Sequence, residues 1–439
     1  MNLIRCVTLL ALAAHVTLSA QSGVTRWTTP TAAEIDAIYP DIETLYKDLH
    51  KNPELGFQET QTASKLAARV KALGFDVTTG VGKTGVVAVM KNGPGPTVML
   101  RTELDALPVQ EKTGLPFGST ATTKNATGQV VPVMHACGHD IHMSAWAGTA
   151  RLMSEHKDRW RGTLMLVGQP AEESLGGASA MLNDGLFKRF PRPDYALSLH
   201  DDDSMPAGTI GYHPGLFRAM SDAVQITVYG RGGHAAMPFN TVDPVVLAAR
   251  IVLSLQTIVS RENNPNDPVV ITVGSIHGGT QGNVIPDEVR LELSVRTFTT
   301  DVRARTLAAI RRIAKGEAAA AGAPREPVVN APAVMRPPVV NDEKLTLRLA
   351  SALKKALGDP QVVEMPAKMT SEDFAEYGVA GVPIALLHIG AVNRGKLDEA
   401  RKTGIPVPAP HSPEWAPEYE PTIKAAIRAE VTALLELLR

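Results

Sequence analysis

The stretch GTLMLVGQP, residues 162–170, decides the fold class of this 439-residue chain. It is apolar at nearly every position, and so short an apolar run suits a strand that is covered on both faces. Three further runs share this character: GVVAVMKNG at 85–93, TVMLRTELDALP at 97–108 and DYALSLHDD at 194–202. Helical stretches such as SAWAGTARLMSEH at 144–156 separate them. The alternation predicts an α/β fold.

A second, smaller unit is predicted from about residue 219, where the hydrophobic pattern becomes alternating. Strand and helix patterns follow in the order β-α-β-β-α, with a final strand near 325–334. This order is typical of a ferredoxin-like α+β unit. We therefore expect an inserted domain at 219–335, within a larger domain formed by residues 21–218 and 336–439.

The first residues predict an export signal. Arg5 precedes an apolar run that ends near Ala20, and small residues follow. A membrane anchor is the alternative, but the run has about fifteen residues where a span needs about twenty. We expect cleavage that removes residues 1–20 and a periplasmic or secreted protein without a stable membrane span.

The overall charge and the cysteine content narrow the function. The 44 basic and 45 acidic side chains leave a formal charge of -1, which gives no electrostatic footprint for nucleic acid. The chain has two cysteines, and signal cleavage would remove Cys6. Cys137 would then be the only thiol, with no partner for an intramolecular disulfide. It is expected either to bind a metal or to lie in the core.

Residues 133–144, VMHACGHDIHMS, carry the main candidate site. His135, Cys137 and His139 alternate, so they point the same way if this segment is extended, and Asp140 is placed to cap a helix that begins near Ile141. A thiol and an imidazole on one short arm suit a metal ion.

Further donors are predicted at the ends of other elements. Glu172 and Glu173 follow the run 162–170, His200 ends the run 194–202, and His411 lies in a Pro-rich loop. Such strand ends meet at one edge of an open α/β sheet. Two carboxylates would allow one to hold a cation and the other to move a proton. Five histidines are assigned to packing or to the surface. They are His50, His156, His213, His277 and His388.

Several motifs identify a family resemblance. In chain order they are DLHKNPELGFQE, RTELDALPVQE, MHACGHDIH, GQPAEESLGGASAML, GRGGHAAMP, GGTQGNVIPDEV and TSEDFAEY. They resemble the amidohydrolase branch of the aminoacylase and carboxypeptidase G metallopeptidase family, which includes hippurate hydrolases and indoleacetyl-amino acid hydrolases. The resemblance covers about residues 40–420. It implies a three-layer, mixed-sheet catalytic domain with an inserted lid and dimerisation domain.

The resemblance also implies a role for each site residue. Glu172 would be the general base beside two divalent metal ions, zinc or manganese, whose implied ligands are Cys137, His139, Glu173, His200 and His411. His234 would reach the active site of the partner subunit in a homodimer, and Asn283 would help to stabilise the oxyanion. Arg296 would bind the substrate carboxylate; the alternative is a strand arginine paired with a local acid.

One position departs from the family pattern. The branch usually has aspartate where this chain has Glu103, whereas Asp105 matches. Asp105 is expected to support a metal ligand from behind, and the extra methylene of Glu103 is expected to shift the support of a ligand imidazole.

The predicted function is hydrolysis of the amide bond of N-acyl amino acids, or of short peptides with a free carboxylate, by metal-activated water. Three alternatives stay open: an exported dipeptidase or other exopeptidase, a non-catalytic binding protein, and a cysteine hydrolase with His139 as the base of Cys137. A cysteine nucleophile would leave the two glutamates and His411 without a role.

Overall fold

The computed structural model describes residues 28–174, 176–332 and 336–438. The predicted signal peptide, residues 1–20, lies outside the described residues, as does the predicted domain boundary at 335. The helices are α1 Ala32–Lys51, α2 Thr60–Ala72, α3 His139–Glu155, α4 Gly177–Asn183, α5 Leu186–Arg189, α6 Pro244–Thr257, α7 Thr300–Ala320, α8 Glu343–Leu357, α9 Ala375–Val379, α10 Arg394–Thr403 and α11 Tyr419–Leu437.

The strands form one large sheet, one smaller sheet and three two-stranded ribbons. They are β1 Asp76–Val81, β2 Gly85–Asn92, β3 Thr97–Glu103, β4 Thr122–Lys124, β5 Val130–Pro132, β6 Gly162–Gln169, β7 Tyr195–Pro206, β8 Ile210–Tyr212, β9 Gly215–Arg218, β10 Met220–Tyr229, β11 Gly233–His234, β12 Val269–His277, β13 Val284–Ile285, β14 Glu288–Thr297, β15 Val328–Asn330, β16 Val339–Asn341, β17 Val362–Glu364 and β18 Ile384–Val392.

The large sheet is mixed, with strand order β1-β2-β6-β3-β7-β18-β8-β17. Its four central strands, β6, β3, β7 and β18, run parallel to one another. Their carboxyl ends therefore meet at one edge of the sheet. This arrangement confirms the α/β class that residues 162–170 predict.

Both faces of the large sheet are covered. On β6, Leu164 and Leu166 belong to the core shared with α1, α2, α3 and α11, whereas Met165 and Val167 belong to the core on the opposite face. This arrangement explains the near-continuous apolar run, because neighbouring residues of a strand face opposite cores. Helix α3 lies in the first core, where Trp146 is fully buried.

The smaller sheet has strand order β12-β14-β10-β15 and its own hydrophobic core. The chain passes through β10, α6, β12, β14, α7 and β15, which is the predicted β-α-β-β-α-β order, with the short β11–β13 ribbon added. The bounds of this unit as a separate domain, 219–335, stay a prediction. The segment Pro244–Glu262 is long and apolar enough to cross a membrane by length and composition alone, but Leu247, Ile251 and Leu255 pack in the core of the smaller sheet.

Two local predictions differ from the structure. Helix α3 begins at His139, and its N-cap is Gly138, not Asp140, because Gly138 has the left-handed φ of +74° that the tight turn at 136–137 requires. Asp140 instead bonds His50 Nδ1 at 2.6 Å. Strand β7 does not end at His200 but continues to Pro206, because residues 200–202 and Pro206 pair with β18 across a local irregularity.

Candidate metal centre

The structure brings together the five residues that were predicted as metal ligands. Donor atoms of Cys137, His139 and His200 lie within 4.8 Å of one another, and so do those of Cys137, Glu173 and His411. Cys137 belongs to both groups, so the two groups are adjacent. The closest contacts are Cys137 Sγ to His200 Nε2 at 3.7 Å and His411 Nε2 to Glu173 Oε2 at 3.3 Å.

These residues come from distant parts of the chain. His139 opens α3, Glu173 follows β6, and His200 lies within β7. His411 lies in a loop and is held by its backbone N–H, which donates to the carbonyl of Ala136 at 2.7 Å. His411 has a φ of +72°, a conformation that is uncommon for a non-glycine residue and that is often retained at functional sites.

The chemistry of this donor set fits a cation. His139 Nε2 and Glu173 Oε1 are buried and have no hydrogen-bond partner in the described part of the chain, although buried polar atoms are normally bonded. Burial raises the pKa of the Cys137 thiol well above its usual value and that of Glu173 to about 7. A bound cation would favour the thiolate and the carboxylate and so offset the cost of burying them.

Asp105 supports this arrangement from behind. Its Oδ1 accepts the backbone N–H of Glu172 and its Oδ2 that of Glu173, both at 3.0 Å. Its backbone carbonyl accepts from His139 Nδ1 at 2.7 Å, which leaves Nε2 free for a metal. Asp105 thus fixes the orientation of the His139 imidazole and of the bend that carries Glu172 and Glu173.

The bend itself is held under local strain. Ala171, which precedes the two glutamates, has a φ of +50°. Its N–H donates to the buried Glu59 at 2.8 Å. Such a conformation persists only where the surroundings determine it, and here the glutamate pair immediately follows.

Glu172 lies beside the metal-ligand groups and is not needed to complete them. Its Oε2 is 3.9 Å from His139 Nε2. Burial, and then the nearby carboxylates Glu372, Glu173 and Asp373, raise its pKa well above the usual value. A carboxylate with a raised pKa, next to a cation site, is suited to accept a proton and return it.

Glu372 and Asp373, from the TSEDF motif, are site residues without an individual prediction from the sequence. Both pair with the buried Arg101, at 2.8 and 2.9 Å. Arg101 also pairs with Glu103. This cation balances part of the negative charge around Glu172.

The contacts of Glu103 lead to a predicted ligand only through other residues. Glu103 Oε2 bonds His142 Nδ1 at 3.0 Å and not the predicted ligand His139, whose Nδ1 bonds the backbone of Asp105. His142 also bonds Asp201, which in turn contacts His200.

A cavity of about 370 Å³ opens at this site. Arg296 lines it, and its guanidinium bonds the hydroxyls of Ser294 and Ser371 and no acid of the described chain. The alternative of a local acid pair is therefore not observed. His388, which was assigned to packing, also lines the cavity, together with Arg218 and Lys368. No sequence motif marks these three residues.

Two predicted catalytic residues are not part of this cavity. His234 is exposed on β11, and Asn283 lies next to it, with its carbonyl accepting the N–H of Ala235 at 3.1 Å. Neither residue is among those that line the cavity. His234 Nδ1 accepts the N–H of Ala236 at 3.0 Å, so a neutral ring carries its proton on Nε2.

Comparison with known proteins identifies close relatives. Residues 99–402 match the model of peptidase family M20/M25/M40. The chain is 36% identical over 332 residues to N-acetyl-L-cysteine deacetylase of Bacillus subtilis, covering 75% of this chain and 76% of that protein. It is 37% identical over 347 residues to hippurate hydrolase of Campylobacter jejuni, covering 78% and 86%. Among solved structures, the YXEP protein of Bacillus subtilis, described as a dinuclear metal binding peptidase, is 28% identical and superposes with a TM-score of 0.70 over 92% of this chain and all of that one.

Proposed function

Because the chain belongs to peptidase family M20/M25/M40 and is a hydrolase of its peptidase and amidohydrolase class, we propose that it cleaves the amide bond of N-acyl amino acids. The observation that carries this proposal is the joined pair of donor groups around Cys137, with Glu172 beside them. Relatives that are named for hippurate and for N-acetylcysteine support the substrate class.

We propose that Cys137, His139, Glu173, His200 and His411 hold two divalent cations, zinc or manganese. A thiolate and imidazoles favour zinc, and the carboxylates also admit manganese. When bound, the cations supply Lewis acidity and lower the pKa of water, so that a nucleophile is available near neutral pH.

Glu172 is the proton carrier of the proposed reaction. It takes a proton from the attacking water and then donates it to the nitrogen of the leaving amino acid, so the same carboxyl group serves as base and as acid. Its burial and raised pKa favour the return of the proton. Arg296 binds the α-carboxylate of the substrate, since its guanidinium faces the cavity with only hydroxyl partners.

His234 and Asn283 are proposed to complete the site of the partner subunit in a homodimer. They lie together at the β11–β13 ribbon and outside the cavity of their own chain. The neighbouring surface has the character of an interface: β12 is an edge strand with Ile276 54% exposed, and Leu253 on α6 is 72% exposed. His234 Nε2–H and the Asn283 amide would donate to the oxyanion.

The decisive experiment combines Glu172→Gln with a substrate panel. Purified protein is assayed against N-acetyl and N-benzoyl amino acids and against dipeptides, with metal content measured by elemental analysis. We expect turnover of N-acyl amino acids. Glu172→Gln should keep its fold and two metals per chain, and should lose about 10²- to 10⁴-fold in kcat.

The matched control is Glu364→Gln, which makes the same change at an exposed glutamate at the end of β17 and should keep full activity. Retained turnover in Glu172→Gln would refute the assignment of Glu172 as the proton carrier. Faster cleavage of dipeptides than of every N-acyl amino acid would replace the proposed substrate class with the exopeptidase alternative.

A further inference from the structure

The wall of the cavity next to His200 carries a buried cation without an anionic partner. Arg218, at the end of β9, is 5% exposed and lines the cavity. Its Nη2 donates to His388 Nε2 at 2.9 Å, and its Nε has no hydrogen-bond partner in the described part of the chain. A guanidinium is permanently charged, so Arg218 keeps a full positive charge in this wall.

The nearby acids are already paired with other groups. Asp202 pairs with Lys368 and accepts from His388 Nδ1 at 2.7 Å. Asp201 contacts His142 and His200. Asp203 is 32% exposed and lies 4.0 Å from Lys368. Among the described residues, no carboxylate forms an ion pair with Arg218.

His388 does not neutralise Arg218 either. Its Nδ1 bonds the Asp202 carboxylate, so the proton lies on Nδ1, and Nε2 accepts from Arg218. A ring nitrogen that accepts a hydrogen bond carries no proton, so the His388 ring is neutral. Lys368 and Asp202 offset each other, and Asp201 and Asp203 also line the cavity, but none of these acids pairs with Arg218.

A second cation, Arg296, reaches the same cavity from a neighbouring strand. Ser221 of β10 pairs with Arg296 of β14. The hydroxyl of Ser371 donates to the carbonyl of Ala219, the residue after Arg218, at 2.9 Å and also bonds Arg296. Ser371 thus links the backbone next to Arg218 with the guanidinium of Arg296. Neither guanidinium pairs with an acid of the described chain. A single substrate carboxylate would neutralise only one of them.

We propose that Arg218 binds a second anionic group of the substrate, so that the preferred substrates are N-acyl amino acids with two carboxylates. The proposal rests on the proposed function and assigns Arg218 as a specificity residue of the same site. A buried guanidinium that lacks an anion in the free protein gains one on binding, and a substrate that places a neutral group there leaves the charge unpaired. The second carboxylate belongs either to the side chain of the amino acid or to the acyl group.

The test measures preference within two matched substrate pairs. One pair is N-acetylglutamate and N-acetylglutamine, and the other is N-succinylmethionine and N-succinamoylmethionine. We expect the wild-type protein to favour the dianion at least tenfold in kcat/KM in one pair, which identifies the source of the second carboxylate. Arg218→Met should lower that ratio at least tenfold, and Arg218→Lys should restore part of it.

Arg311→Met, an arginine exposed on α7, is the control and should leave the ratio unchanged. Absence of a preference for either dianion in the wild type would overturn the proposal. It would equally be overturned if Arg218→Met lowered the rates for the dianion and for its monoanionic amide partner by the same factor.

A binding measurement separates this proposal from the proposed function. If the wild-type protein hydrolyses neither these four compounds nor any N-acyl amino acid of the substrate panel, the proposed function fails. Glutarate and glutaramate are then titrated into the metal-loaded protein by calorimetry. Preference for glutarate that falls at least tenfold in Arg218→Met supports the assignment of Arg218, whereas equal ratios in the two proteins refute it.

Discussion

Replacing Asp105 by asparagine tests how the site is held together. Asp105 is 1% exposed and accepts the N–H groups of Glu172 and Glu173, one on each carboxylate oxygen. An asparagine has only one acceptor oxygen. Its NH₂ group would lie against the second backbone N–H, and two donors cannot form a hydrogen bond. One buried N–H then loses its partner, which costs about 1–3 kcal/mol. We expect Asp105→Asn to loosen the bend that carries both glutamates.

The predicted magnitude follows from that cost. About 1–3 kcal/mol corresponds to a factor of roughly 5 to 150 in the population of the native bend, which agrees with the about 10- to 100-fold losses typical of residues that support metal ligands. The assay is kcat/KM for an N-acyl amino acid at saturating metal, together with metal affinity by titration. Asp105→Ala removes both acceptors and should lose more.

Asp76→Asn makes the same change at an exposed aspartate on the edge strand β1 and should leave both quantities unchanged. Circular dichroism verifies that the variants fold. If Asp105→Asn kept kcat/KM and metal affinity within twofold of the wild type, the proposed role of these two hydrogen bonds would be refuted.

Three further predictions follow from other features. Chelation should abolish turnover and lower the melting temperature, because the cations bind only the folded donor set. Adding zinc or manganese should restore both. Activity that survives chelation and is lost on alkylation would instead favour Cys137 as a nucleophile. Burial raises the pKa of Glu430, which bonds Thr149, from 4.5 to about 8. The folded state therefore holds a proton that the unfolded state loses, and the free energy of unfolding of the wild type falls as pH rises between these values. The gain in stability of Glu430→Gln over the wild type should grow from pH 5 to pH 8. A gain that does not change with pH would contradict this. Mixing inactive Glu172→Gln and His234→Ala subunits should restore about a quarter of wild-type activity if His234 acts across a dimer, whereas no recovery after verified subunit exchange would count against it.

Several features of the fold and of the site could be predicted from local patterns. The continuous apolar run of β6 predicted a strand covered on both faces, and the structure places neighbouring residues of that strand in opposite cores. The side chains at 137, 139, 173, 200 and 411 are of types that bind metals, and the family resemblance implied this particular set. Their convergence, however, depends on how β6, β7 and the loop around His411 come together.

Errors arose where local patterns were ambiguous. Asp140 was predicted to cap helix α3, but the N-cap is Gly138, which adopts a positive φ. The Asp140 carboxylate instead bonds His50. His388 looked like a packing residue because no motif surrounds it. Its position in the cavity comes from the parallel pairing of β18 with β7, where it lies opposite His200.

By itself, the sequence determined the alternation of strands and helices and the α/β class, because periodicity is a local property, and its family motifs indicated the candidate metal donors. Only the tertiary structure decided which charges remain unpaired. Arg218 and His388 are 170 positions apart, and whether a buried guanidinium has an acid beside it depends on every element packed around it. That long-range property leaves a buried guanidinium without a paired anion in the wall of the cavity.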